Sequence, residues 1–447
     1  MNRSSMGATA CLLILSACGR SDPDLDQTGP QPDIPPIAES LVPSMKIAQP
    51  TGWGDQVPTV PAGFAVTALA TDLQIPRQML VLPNGDILVA EGRGGNAPPL
   101  RPKDVIAGVI KKQGNTKVES GDRITLLRDA DGDGRAEVRT VFIDNLNAPY
   151  GLAFVLGTLY VANQDALVSF PYQDGQTRIT AAPTEVTKLP SAINHHWTKS
   201  LTASADGQTL YVGIGSNSNV GERGMAVEEE RAVVWAIDRT TGARRTVARG
   251  LRNPTALAIE PTTGALWAVV NERDEIGPQA SPDYLTSIRE GAFYGWPYTY
   301  WGKVDPRVRP ADPKLAATAI LPDYALGSHV AALGLSFAIE GGFGGSFSQG
   351  AFIGEHGSWN RQDLSGYKVT WVPFVDGRPS GEPVDFATGF LTNGGQARGR
   401  PVGVTFDADR QILLIADDLS NTVWRIAPRA TSRQSPPTTA ASTAPSR

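Results

Sequence analysis

The sequence predicts an all-β fold, a six-bladed β-propeller with long inter-blade loops, on three observations. A short motif recurs six times. Turn formers are abundant, with 47 Gly and 35 Pro in 447 residues. Hydrophobic residues make up 41% of the chain, ample for a core. The motif is a turn with Gly or Asp followed by a run of apolar, largely β-branched or aromatic residues. Its copies are LPNGDILVAE (82–91), VLGTLYVAN (155–163), SADGQTLYVGIG (204–215), PTTGALWAVVN (261–271), SQGAFIGEHG (348–357) and DADRQILLIAD (407–417). Each reads as the hairpin strand of a β-sheet blade, where the turn residue reverses the chain and period-two alternation of side chains buries one face. Repeats at such intervals mark stacked sheet units, lengthened here by inserted loops.

In chain order, residues 1–18 read as a targeting segment and stay outside the fold. Arg3 supplies the positive start and CLLILSA the apolar stretch. Leu15-Ser16-Ala17-Cys18 resembles a bacterial lipobox, which implies lipidation at Cys18 and an anchor at the periplasmic face, outer membrane rather than inner because Gly19 follows. Residues 19–55 are Pro- and Asp-rich and are expected to form a disordered tether; 56–428 form the propeller; 429–447, rich in Ser, Thr and Pro, are expected to be a disordered tail. No apolar run reaches the roughly 18 residues of a membrane-spanning helix, so membrane association is expected through lipid alone. A net charge of −5 gives no electrostatic case for nucleic acid. The two cysteines, Cys11 and Cys18, both lie in the leader. The globular part therefore has no thiol for catalysis, zinc or haem attachment.

The four histidines fall in polar or aromatic loop strings: His195 and His196 in NHHWTKSL, His329 in LGSHVAALG, His356 in GEHGSWNR. Imidazole used so sparingly points to proton chemistry or ligand contact. NHHWTKSL and GEHGSWNR, with GLRNPTALA, NERDEIG and GQARGRPVG, stand immediately before or after motif strands. In a propeller such loops meet at one mouth of the central channel. Arginines in four of them suit an anionic ligand, because guanidinium pairs bidentately with carboxylate and stacks on flat rings.

Taken in order, PAGFAVTALATDL, HHWTKSL, GLRNPTALAIEPTTGALWAVVNERDEIG, FYGWP, EHGSWNR and RGRPVGV resemble the soluble six-bladed PQQ-dependent sugar dehydrogenases, most closely their L-sorbosone/aldose branch, over about residues 55–427. The resemblance implies a quinoprotein holding PQQ and Ca²⁺ that oxidises an aldose or sorbosone-type sugar and passes electrons to an external acceptor, a cytochrome or quinone. It implies His196 as general base, with His195 a second candidate, and Arg252 beside it as a catalytic partner. It places Arg252, Asn253, Asn271, Asp274, Arg361, Arg398 and Arg400 around the cofactor. The calcium ligands would be the backbone carbonyls of Glu272 and Arg273, where the glucose enzymes carry Gly-Pro; that departure puts glucose specificity in doubt. If Arg398 and Arg400 sit on a strand, both face one side.

DADGDGRAE matches the opening of an EF-hand calcium loop at Asp129, Asp131 and Asp133, but position twelve is Thr140 rather than a bidentate Glu. The loop is either a structural Ca²⁺ site or an acidic turn. Two other functions share the predicted architecture. A calcium-dependent lactonase or related hydrolase needs acidic and Asn side chains at the channel axis rather than four arginines. A non-catalytic binding propeller leaves the His and Arg loops unexplained.

Overall fold

The computed structural model describes residues 22–38 and 45–429. The leader with Cys18, and the tail from 430, lie outside the described residues. Six antiparallel sheets of four or more strands stand in a ring. The first strands of the blades, Pro76–Val81, Gly151–Val155, Lys199–Ala203, Pro254–Ile259, Ala332–Phe337 and Pro401–Asp407, pack side by side around the centre, so each blade runs from inside to outside.

The six motif copies form the second strand of every blade: Ile87–Glu91, Thr158–Ala162, Thr209–Ile214, Leu266–Val270, Gly350–Glu355 and Ile412–Asp417. These strands are buried on both faces, not on one, because each blade is covered by a neighbour on either side. That is why they are runs of Val, Ile, Leu and Ala instead of a clean apolar–polar alternation. Apolar clusters fill the gap between each pair of adjacent blades, from Leu69, Met79 and Leu414 between blades six and one to Trp371, Phe352 and Phe406 between five and six.

The ring closes through the chain ends. Phe64–Ala70 is the outer strand of blade six, pairing antiparallel with Thr422–Pro428 in the register Phe64↔Pro428 to Ala68↔Trp424. Inner strands approach closely where glycine removes the side chain: a Cβ on Gly334 would collide with the carbonyl of Val402, and one on Gly403 with that of Arg77.

Two further features depart from the sequence-based expectation. The supposed tether is largely structured. Thr28–Gly29 adds a strand to the outer edge of blade four; Ile34 and Ile37 pack on Ile276, Ala280 and Tyr300; Ala48 is buried, and Trp53 packs edge-on against Phe390 and Trp424. Few apolar residues suffice because each lands on an apolar site the propeller already provides, so no independent core is needed. The second departure is a helix, Pro102–Lys112, inserted between the second and third strands of blade one. Pro102 opens it, the Asp104 carboxylate accepts from the amides of Leu100 and Arg101, and Lys111 and Lys112 sit in the last turn. Charge thus complements the helix dipole at both ends.

Candidate active site

Connections that leave second strands or enter first strands gather at one end of the ring, and a cavity of about 240 Å³ opens there. It is lined by His195, His196, Arg252, Asn253, Asn271, Glu272 and Asp274 among others. A larger compartment of about 510 Å³ lies outside it under the inserted helix, and Lys111, His195, Asp274 and Trp359 border both.

Arg252 is 3% exposed and organises the inner wall. Its Nη1 donates to the Glu272 carbonyl at 2.6 Å, its Nε to the Asn219 carbonyl at 3.1 Å, and its Nη2 to Asn219 Oδ1 at 3.0 Å and Asp274 Oδ2 at 3.3 Å. Asp274 in turn accepts from Asn360 Nδ2 at 2.5 Å, and His329 Nδ1 lies 3.7 Å from its carboxylate. A buried guanidinium this fully bonded has one orientation, the condition for a preorganised charge.

His196 is pinned as well. Its Nδ1 lies 2.9 Å from the Ser216 carbonyl and 3.0 Å from Ser216 Oγ. A carbonyl only accepts, so Nδ1 carries the proton and Nε2 keeps its lone pair. Burial, then the Arg252 charge, holds the His196 pKa well below the ordinary histidine value, so the ring is neutral at neutral pH. His195 stands edge-on to it at 4.7 Å and is exposed. Of the two, His196 has the fixed tautomer.

Asn271 donates to the Ala332 carbonyl at 2.9 Å, while Asn253 Oδ1 and Asn360 Oδ1 are buried without a partner among the described residues. Such unsatisfied atoms beside a cavity mark where a ligand would donate. Asp283, also lining the cavity, is pushed up to about 8 by burial, although it accepts from the amides of Glu272 and Ala331.

Three expected cofactor residues lie elsewhere. Arg361 Nη1 donates to the Ser328 carbonyl at 3.0 Å and does not line the cavity. Arg398 and Arg400 precede their strand instead of lying on it, and their side chains diverge. Arg398 reaches the Gly389 carbonyl at 3.2 Å, and Arg400 reaches the carbonyls of His356 and Gly357, each at 3.3 Å. The cause is local: Gly399 passes so close to the Asp417 carboxylate that a Cβ there would collide, and Asp417 Oδ1 captures the Arg400 amide at 2.9 Å. Asp418 ion-pairs with Arg77 at 2.8 Å and hydrogen-bonds His356 Nε2 at 2.9 Å, forming a second polar network on blades six, one and five.

Arg252, the fixed cation of the cavity wall, fits a flat polar anion such as PQQ, and the two unsatisfied amide oxygens fit a donor such as a sugar hydroxyl. Of the two expected calcium ligands, the Glu272 carbonyl does not fit, because it already accepts from the Arg252 guanidinium at 2.6 Å. A second cation beside the Glu272 oxygen would face Arg252 directly. Asp129, Asp131 and Asp133, joined by Glu137, do bring four carboxylates within 4.8 Å of one another. They form the turn between the third and fourth strands of blade one, at the end of the ring opposite the cavity.

Sequence reasoning missed Asn219, Lys111, Asn360 and Asp283. A signal existed for part of this. In five blades a polar residue stands at or just past the end of the second strand, at Glu91, Asn163, Asn271, Glu355 and Asp417, and SNSN follows the strand in the remaining one, blade three. That end of the second strand therefore faces the polar end of the ring throughout. Nothing in the sequence placed Lys111, because an inserted helix carries it.

The fold has many solved counterparts. The holo form of the pyranose dehydrogenase PQQ domain from Coprinopsis cinerea superposes with a TM-score of 0.67 at 20% identity, covering 85% of this chain and 98% of that one. The calcium structure of Trichoderma reesei carbohydrate-active enzyme family AA12 gives 0.67 at 19%, covering 86% and 99%. The soluble aldose sugar dehydrogenase of Escherichia coli in its apo form gives 0.57 at 16%, covering 82% and 100%. At these identities the likeness is one of fold. A curated relative, an uncharacterized protein of Borreliella burgdorferi, is 32% identical over 221 residues, 48% of this chain, and the match spans only 56% of that relative. The family model described as TrAA12-like matches residues 58–283 and 294–428, which is the ring of blades almost in full, and the chain belongs to that family.

Proposed function

We propose that the chain is a sugar oxidoreductase of the quinoprotein type, acting on an aldose or sorbosone-type sugar, and that His196 is its base. One observation carries this: Nδ1 of His196 is tied to Ser216, leaving Nε2 as a proton acceptor in the cavity that the fully bonded Arg252 also lines. Two solved structures of the same fold are named as a PQQ domain and an aldose sugar dehydrogenase, which supports the reaction class.

PQQ, when bound, would supply the acceptor for the hydride of the sugar carbon. The protein's part is to take the hydroxyl proton on His196 Nε2, to hold positive charge beside the oxygen that becomes a carbonyl, and to limit water. Arg252 supplies that charge, with Asn219 and Asp274 as positioning residues that keep it in place. Asn253, with its unsatisfied Oδ1, and Asn271 border the cofactor. No step is assigned to calcium at Glu272 and Arg273. The electrons then pass to an external cytochrome or quinone. Lipidation at Cys18 would hold the protein at the periplasmic face.

Dye-coupled oxidation of an aldose panel and sorbosone, with and without PQQ, tests the reading. PQQ-dependent turnover, with bleaching of the oxidised cofactor's absorbance under saturating sugar, is the expected result. A protein that neither binds PQQ nor alters its spectrum overturns it, and lactone hydrolysis becomes the next assay.

A further inference from the structure

Every permanent charge that lines the inner cavity has a partner except one. Arg252 is bonded to Asp274 and Asn219, and Glu272 is paired with Arg273. Lys111 has neither a hydrogen bond nor an ion pair among the described residues; its Nζ sits 3.2 Å from the centre of the Trp359 ring. The carboxylates nearest in electrostatic terms, Asp274, Glu275 and Asp104, are held by other arginines: Asp274 by Arg252, Glu275 by Arg101 at 3.4 Å, and Asp104 by Arg101 at 2.8 Å. The ammonium is not a loose surface group. The helix that carries it is fixed at its start by Arg101–Glu275, and its end abuts the segment 45–55, where a Cβ on Gly114 would meet Ile47. The same segment holds the Trp359 loop through Lys46 N donating to the Trp359 carbonyl at 3.1 Å.

A cation withdrawn from water over an aromatic face, with no anion of its own, is a binding element for an anion that arrives. Its place at the boundary of the two compartments puts it where a substrate passes from the outer to the inner. We infer that Lys111 is a specificity-determining residue for a sugar that carries a carboxylate, so that the preferred substrate class is acidic sugars, not neutral ones. The inference rests on the proposal that a sugar enters this cavity.

Calorimetric titration of the signal-free, PQQ-free protein with sodium D-glucuronate and with D-glucose tests it without turnover. Glucuronate is expected to bind about ten-fold tighter or more, as a charge-assisted contact requires. That preference should fall with added salt, collapse toward unity in both Lys111→Met and Lys111→Gln, and persist in Lys111→Arg. Equal affinities in the parent protein overturn the inference, as does a preference that survives both neutral substitutions. Weakened PQQ binding in those variants, with the sugar preference intact, would assign Lys111 to the cofactor and overturn it too. Should glucuronate bind through Lys111 but no sugar be oxidised, the reaction proposed above fails and the acidic-sugar site stands.

Discussion

Two polar networks face the same end of the ring, and they are built from the same residue types. One joins Arg252, Asp274, Asn360 and His329 around the cavity; the other joins Arg77, Asp418, His356 and Arg400. They differ in what is left over. The first leaves the Asn360 amide oxygen without a partner and lines the cavity together with the unsatisfied Asn253 oxygen and the Lys111 ammonium, whereas none of the four residues of the second has a buried unsatisfied atom among the described residues. A network closed on itself braces blades; a network with loose ends waits for a ligand. Residue type does not separate the two, and the balance of donors and acceptors does.

The contrast breaks first on activity. His196→Ala is expected to lower kcat/KM by about 10²–10⁴-fold with little change in melting temperature, since it removes a base and not a brace. Retained activity would shift the base to His195. Next in size, Asp418→Ala should cost about 3–5 kcal/mol of stability, because it leaves the Arg77 charge buried and alone. Denaturant unfolding measures it, and a loss under 1 kcal/mol would show that the second network is also open. Asp274→Asn should do the reverse, reducing turnover at least about ten-fold by freeing Arg252, while unfolding moves by less than for Asp418→Ala.

The pH response of the closed network has a definite sign. Burial, and then the Arg400 charge, lower the His356 pKa to about 4. The unfolded chain therefore binds the proton first. His356 contributes stability that is full above pH 6.5 and drains as pH falls toward about 4. Melting curves over that window should show the loss, and His356→Gln should reduce it, with the remainder coming from the other histidines whose pKa is lowered, His195, His196 and His329. The smallest effect expected is at the far end of the ring. If the Asp129 loop takes Ca²⁺, millimolar Ca²⁺ should raise the melting temperature by a few degrees at most, by mass action, and Asp131→Ala should abolish the rise without altering sugar binding. No shift in the parent protein would leave the loop an acidic turn, its carboxylates already accepting from the amides of Ala130, Gly132, Gly134 and Arg135.

The blades were legible because each motif strand is buried on both faces, so its apolar run and its turn are local properties. His196, Arg252 and Asn253 were legible for a related reason: they lie within a few residues of a strand, and the strand fixes where they point. Arg398 and Arg400 show the limit. Their spacing suggested one shared face, but the chain there is a loop bent around the Asp417 carboxylate, and a residue 17 positions away aims them apart. Residues 22–38 and 45–55 read as disordered because their composition cannot form a core, yet a surface made by distant blades supplies one.

By itself, then, the order of residues determined the number of blades, the closure of a turn-rich ring and the loops at its polar mouth, since these follow from local periodicity and turn chemistry. Only the folded chain decided which charges remain unpaired. Pairing depends on side chains brought together from blades far apart in sequence: Arg252 with Asn219, Asp418 with Arg77, and Lys111 with the ring of Trp359 instead of a carboxylate.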